Sequence, residues 1–302
     1  MPLVATLINA PQQSPLGPDH VKLAWRTLET LGAEHLSSDW LDQGIAADLY
    51  FSGLNPLAAR DALEQALASQ PIDIAVQERA HRRKQLLVAD MDSTIITVEC
   101  IDELADFAGL KPQVAAITEA AMRGELDFEA ALRERVALLK GMPVAVLARV
   151  YEERVRLTAG AATLVKTMAA QGAYCALVSG GFTFFTQRVA ALAGFHMTRA
   201  NELAVADGLL TGGVLDPVAK AETKLETLEA LLAEKSLPRA ASMALGDGAN
   251  DIPMLQAAGL AIAYHGKPKA MAAAAMRIRH GDLTAALYAQ GYRRADFVSA
   301  AA

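Results

Sequence analysis

The chain has 302 residues, 53% of them hydrophobic and 21% charged, with a formal net charge of −6. That is enough length for two domains, or for one domain carrying a large insertion, and ample apolar side chain for a packed core. The acidic balance argues against a nucleic-acid partner, and no uncharged apolar run approaches the ~18–20 residues that would cross a membrane. A small anionic substrate stays open, because a few local cations can reverse the sign inside a cleft.

The opening MPLVATLINAPQQS lacks the basic start and long apolar stretch of a signal peptide. Cys100 and Cys175 show no CxxC spacing and no neighbouring His cluster, so both read as reduced and buried. A soluble, cytoplasmic protein is expected, and a homodimer is compatible with it.

Residues 1–80 predict a small α/β unit. LVATLIN, ADLYFSG and PIDIAVQ read as strands, with a further strand around SSDWLDQG; DHVKLAWRTLETLG and LAARDALEQALAS have helical periodicity. The order β-α-β-β-α-β predicts a ferredoxin-like sandwich. His81-Arg82-Arg83-Lys84 then reads as a solvated junction.

From residue 84 the pattern changes. Gln85–Ala89, Ala173–Val178 and Ser242–Leu245 are short apolar runs, as in strands buried on both faces, and GLAIAY and MRIRH follow as later strands. Helical segments separate them, which predicts a parallel, doubly wound sheet with ligands at the carboxyl ends of its strands. Residues 100–165 are helical in pattern and too long for one crossover, so they predict a cap inserted after the first core strand.

Polar clusters fall at those strand ends. Asp90 and Asp92 are carboxylates at i and i+2, expected on one side of an extended chain; crowding them calls for a cation, and hard oxygen ligands point to Mg²⁺. Ser179-Gly180-Gly181 offers a hydroxyl and free N–H groups to an anion at a helix start. Gly246–Asp251 is a second acidic loop, in which Asp247 suits a metal and Asn250 or Asp251 reads equally as a helix N-cap. Lys224 could reach a phosphate as a point charge, with Lys220 as its rival. Each element alone reads as readily as an ordinary turn or surface charge; their order on successive strand ends makes coincidence improbable.

At this point the sequence resembles the haloacid dehalogenase superfamily of phosphatases, through Asp90-Met91-Asp92-Ser93-Thr94, Ser179, Lys224 and Gly246-Asp247-Gly248-Ala249-Asn250-Asp251. It resembles most the family's phosphoserine phosphatase branch: Glu99 follows the first motif, Val178–Phe182 matches the second, and Gly208, Thr211-Gly212 and the run to Lys224 follow its pattern. The resemblance implies Asp90 as nucleophile, Asp92 as general acid and base, and Ser179, Gly180 and Lys224 as phosphate ligands. It implies Asp90, Asp92 and Asp247 around Mg²⁺, and Glu99, Arg135, Met122, Phe128 and Asn250 as substrate contacts. Residues 1–80 look like the ACT-like extension of some members. Another small-metabolite phosphatase, a homoserine-accepting phosphotransferase, or a mainly amino-acid-sensing regulator are the competing readings.

Overall fold

The fold begins with an antiparallel sheet. The computed structural model describes residues 1–11, 13–122 and 125–299, with the backbone alone at Leu36 and Met122. Strands β1 (Leu3–Asn9), β2 (Glu34–Asp42), β3 (Ala46–Ser52) and β4 (Ile72–Glu78) alternate with helices α1 (Pro18–Thr30) and α2 (Pro56–Ala66). The strand order is β2-β3-β1-β4, the ferredoxin-like arrangement that the element order predicts. Every residue of β1 is buried because both faces of the sheet are covered. Leu3, Ala5 and Leu7 pack with Ala24, Leu28, Ala59 and Leu63 of the two helices. Ile8, Ala46 and Ala75 join the core cluster that contains Leu287 and Tyr288 near the C-terminus.

The second sheet is parallel, with order β12-β11-β10-β5-β6-β7. Its strands are β5 (Leu86–Ala89), β6 (Tyr174–Phe182), β7 (Met197–Asn201), β10 (Ser242–Gly246), β11 (Leu260–Tyr264) and β12 (Met276–Ile278). The apolar runs are continuous because alternate residues enter two different cores. Leu87, Ala89, Cys175, Leu177, Met243 and Leu245 face one; Leu86, Val88, Ala176, Val178 and Ala244 face the other. Both cysteines are buried and unbridged. Among the described residues no helix is long and apolar enough to cross a membrane.

Between β5 and β6 lie helices α3 (Cys100–Phe107), α4 (Lys111–Met122), α5 (Phe128–Ala137), α6 (Ala145–Arg154) and α7 (Ala161–Ala170). The first four form the cap; α7 leaves it and packs beside β6 and the helix α8 (Thr183–Ala193) that follows. Two segments join cap to body, paired at Ile96 and Leu157 and tied by the Thr97 N–H to the Arg156 carbonyl (3.1 Å) and the Thr158 N–H to the Ile95 carbonyl (2.9 Å). Gly160 lies just beyond with φ +80, and a Cβ there would stand 2.7 Å from the Thr284 nitrogen, so the joint is seated on the C-terminal segment.

One strand and one hairpin were not anticipated: β7, and the pair β8 (Leu203–Ala206) and β9 (Leu209–Val214). The hairpin lies against α5 and is pinned to the cap where the Gly141 N–H meets the Leu210 carbonyl (2.8 Å) and the Leu210 N–H meets the Met142 carbonyl (2.9 Å). Helix α9 (Ala221–Glu234) leads from it to β10; three short helices, α10 (Ile252–Ala257), α11 (Pro268–Ala273) and α12 (Ala285–Ala289), complete the chain order.

The expected solvated junction at residues 81–84 fails for two of its four side chains. Arg82 grips the fully buried Asp48 with two nitrogens (2.6 and 2.7 Å), reaches Thr6 Oγ1 (2.7 Å), and donates to the Ala289 carbonyl (3.0 Å). Lys84 is buried and donates to the Ala240 carbonyl (2.9 Å); burial pushes its ammonium down to about 8. Asp73, also buried, accepts the N–H groups of Arg279 (2.8 Å), His280 and Gly281 (2.8 Å). The antiparallel sheet is thus bonded into the parallel one.

Candidate active site

Strand β5 closes at Ala89, and the chain turns at Ser93. Asp90 is extended (φ −70, ψ 159), Asp92 likewise (φ −65, ψ 136), and Ser93 is left-handed at φ 55. Such a backbone is uncommon for a residue with a Cβ and persists only when held. Here the Ser93 hydroxyl donates to Glu99 Oε1 (2.7 Å), and the Cys100 N–H donates to Asp92 Oδ1 (3.3 Å). Both aspartates keep extended backbone and line one cavity, and the left-handed turn at Ser93 follows them.

Lys224, on the first turn of α9, is buried between two carboxylates, 2.8 Å from Asp90 Oδ1 and 2.6 Å from Asp251 Oδ1. Burial alone would lower its ammonium; the two charges outweigh that and hold it above its ordinary value. Lys220, its rival, caps α9 and turns away to Glu129 on the cap (2.6 Å). Asp90 Oδ1 also accepts the Met91 N–H (2.8 Å), and among the described residues no hydrogen bond reaches Oδ2. Burial, then the Asp251 charge, raise Asp90 well above the usual carboxylate range, against the pull of Lys224. Burial, then Glu99, push Asp92 up to about 7.

The loop after β10 supplies the remaining acids. Asp251 does not cap α10: its Oδ2 accepts the N–H groups of Asp247 (3.1 Å) and Gly248 (2.9 Å), folding the loop back on itself. One oxygen each from Asp90, Asp247 and Asp251 lies within 4.8 Å of the others, and all three residues are buried. Burial raises Asp247 too, although Lys267 stands 3.2 Å from its Oδ2. The fit to a hard dication is good: the donors are carboxylate oxygens, and Lys224 is the one buried cation among these acids. Asp251 already accepts from three donors, which suits it to orienting the loop, and Asp90 and Asp247 to holding an ion.

At the end of β6, pairing with β7 slips between Val178 and Phe182, and the strand runs through Ser179-Gly180-Gly181 before α8 begins at Thr183. The buried Ser179 Oγ accepts the Gly181 N–H (2.8 Å), which leaves its proton to donate. Asn201, at the end of β7, was not anticipated: it is buried, donates to the Gly180 carbonyl (2.8 Å) and accepts the Ala219 N–H (2.7 Å). It ties this loop to the approach to α9. The rule of polar residues at strand ends would have found it, had β7 been recognised.

A cavity of about 810 Å³ separates body and cap, and Asp90, Asp92, Ser179, Gly180, Asp247 and Asn250 line its floor. Glu99 and, from α5, Phe128 and Arg135 line it as well. Asp127 caps that helix, its carboxylate accepting the Ala130 N–H (2.8 Å). The Phe128 ring sits over Gly180, where a Cβ would meet Cζ at 2.9 Å. Arg135 is anchored by Nε to the Ala131 carbonyl (3.1 Å), leaving the rest of its guanidinium for an anion. Met122 ends α4, and its side chain lies outside the described residues. Lys267 and Lys269 also line the cavity and were not anticipated; they follow β11, whose end carries no acid to mark it.

Residues 87–256 match the haloacid dehalogenase-like hydrolase family. A phosphoserine phosphatase from Polaromonas sp. is 48% identical over 204 residues, 66% of this chain and 86% of that protein. A HAD-family hydrolase structure from Salmonella enterica serovar Typhi superposes with a TM-score of 0.83 at 30% identity, covering 95% of this chain and 97% of that one. A probable phosphoserine phosphatase structure from Vibrio cholerae gives 0.77 at 31% identity, covering 98% and 88%.

Proposed function

We propose that this chain, which belongs to the haloacid dehalogenase-like hydrolase family, hydrolyses O-phospho-L-serine to L-serine and phosphate, the last step of serine synthesis, through a phosphate carried on Asp90. The observation behind the reading is the meeting of Asp90, Asp92, Ser179, Lys224 and Asp247, from separate segments, at one cavity, or against its floor in the case of Lys224. Close relatives bearing that activity's name support it. Catalysis belongs to residues 84–302; residues 1–80 are an ACT-like accessory.

Phosphate monoesters resist hydrolysis because anions repel the nucleophile, so the site must neutralise charge and align the attack. Lys224 favours the ionised form of Asp90 through Oδ1, against the pull of burial and Asp251, and Oδ2 attacks phosphorus in line. The P–O bond to serine breaks as the bond to Asp90 forms. Asp92 gives its proton to the departing serine oxygen, then takes one from the water that attacks the aspartyl phosphate. Ser179 Oγ, the Gly180 N–H and Lys224 donate to the other phosphate oxygens. Asp90, Asp247 and the Asp92 carbonyl would hold Mg²⁺, with Asn250 and Asp251 orienting the loop. Bound there, the ion supplies charge neutralisation to the phosphate oxygens.

The serine part is read from the cavity wall. The Arg135 guanidinium suits the carboxylate and Glu99 the ammonium, while Phe128 excludes water. Asp90→Asn should lower turnover by about 10³-fold or more in single-turnover assays. A kinetic panel of phosphoserine, phosphothreonine, phosphohomoserine and sugar phosphates tests the substrate; equal kcat/KM across it would refute the assignment.

A further inference from the structure

The loop after β11 is built toward the acidic floor. His265 is left-handed at φ 41, and its backbone is held by its N–H to the Ile278 carbonyl (2.9 Å). Its ring Nε2 lies 3.2 Å from the Gly281 carbonyl. Gly266 follows, where a Cβ would crowd the Asp247 carbonyl at 3.3 Å. The Lys267 N–H then donates to that same carbonyl (2.8 Å), while its ammonium pairs with Asp247 Oδ2 (3.2 Å). Backbone and side chain of one lysine therefore both address one acid, at the cost of a strained residue two positions earlier.

The Lys267 stem is mostly exposed, at 67%, so its head can leave Asp247 without unpacking anything. Lys224 cannot do this: it is 2% exposed and fixed by two carboxylates. The two lysines thus divide the work of neutralisation into a permanent part and an exchangeable one.

We propose that Lys267 is a positioning residue, an exchangeable counter-ion that holds Asp247 in place until a divalent cation arrives and that the cation must displace. This rests on the phosphatase reading only in taking Asp247 as a ligand of that cation. Displacing an ion pair whose lysine is exposed lowers cation affinity by a modest factor, about fivefold for a pair of surface strength. It also keeps Asp247 from relaxing into another bond while the site waits.

The test is calorimetric titration of Mg²⁺ into the full-length, chelator-treated chain, with no substrate present. Lys267→Met should bind the ion roughly fivefold more tightly, and Lys267→Arg should return to the wild-type affinity. Thermal unfolding gives the second readout: the stabilisation by saturating Mg²⁺ should be larger in Lys267→Met than in wild type. Unchanged or weaker binding in Lys267→Met overturns the exchange while leaving the phosphatase reading intact. Absence of Mg²⁺ binding in the wild type would overturn both.

Discussion

Against the N-terminal sheet the parallel-sheet body uses buried, multiply bonded charges; against the cap it uses exposed ion pairs around a cavity. On the first side Asp48 is fully buried beneath Arg82, and Asp73 accepts three backbone N–H groups. On the second, Lys220 meets Glu129, and Arg133 meets both Glu129 and Asp216, all in contact with solvent. A buried pair cannot be broken without stranding a charge, whereas an exposed pair is readily replaced by water. The charges toward the N-terminal sheet cannot part without a penalty, and those at the cap's rim can, which suits a chamber that must admit a substrate.

The contrast can be broken at its strong end first. Arg82→Met leaves Asp48 charged and buried, and should cost about 3–5 kcal/mol in urea unfolding; a loss below about 1 kcal/mol would mean the sheet is not welded. Glu129→Ala removes the partner of Lys220 and one of the two partners of Arg133. It should leave the unfolding midpoint where it is and raise KM for phosphoserine about threefold, and high salt should do the same to the wild type. A midpoint that falls as KM rises would make the cap part of the welded body.

A pH dependence is expected at the junction between the two sheets. Lys84 is held at about 8 in the folded chain against an ordinary 10.5. Between those values the unfolded chain binds more protons, so stability rises with pH across that window. Below about 8 both states carry the charge and the burial penalty is complete; above 10.5 neither does. The wild type should therefore gain on Lys84→Met between pH 8 and 10, measured by urea midpoints at both. Parallel curves would mean that Lys84 is not buried as a cation.

The site was legible where chemistry sits at the end of an apolar run. Leu86–Ala89 and Ser242–Leu245 are uninterrupted because two cores claim alternate residues, and so Asp90 and Asp247 stood out at their ends. Arg82 and Lys84 were not legible as bonded inside the fold, because their partners, Asp48 and the Ala240 carbonyl, lie far away in sequence and nothing local announces them. Asp251 stayed open between two readings for a related reason: its position before a helix suggests a cap, but Lys224 and two loop N–H groups claim it first. The β8–β9 hairpin escaped because most of its residues are exposed or half-exposed, and such short strands lack the apolar alternation of a buried one.

Gly180 has no side chain, and that is what lets the Phe128 ring come to rest on it. The depth of the closed chamber is set there by a hydrogen atom. A methyl in its place would act as a doorstop: the ring would stand off, and the floor beneath it would lie open to bulk water.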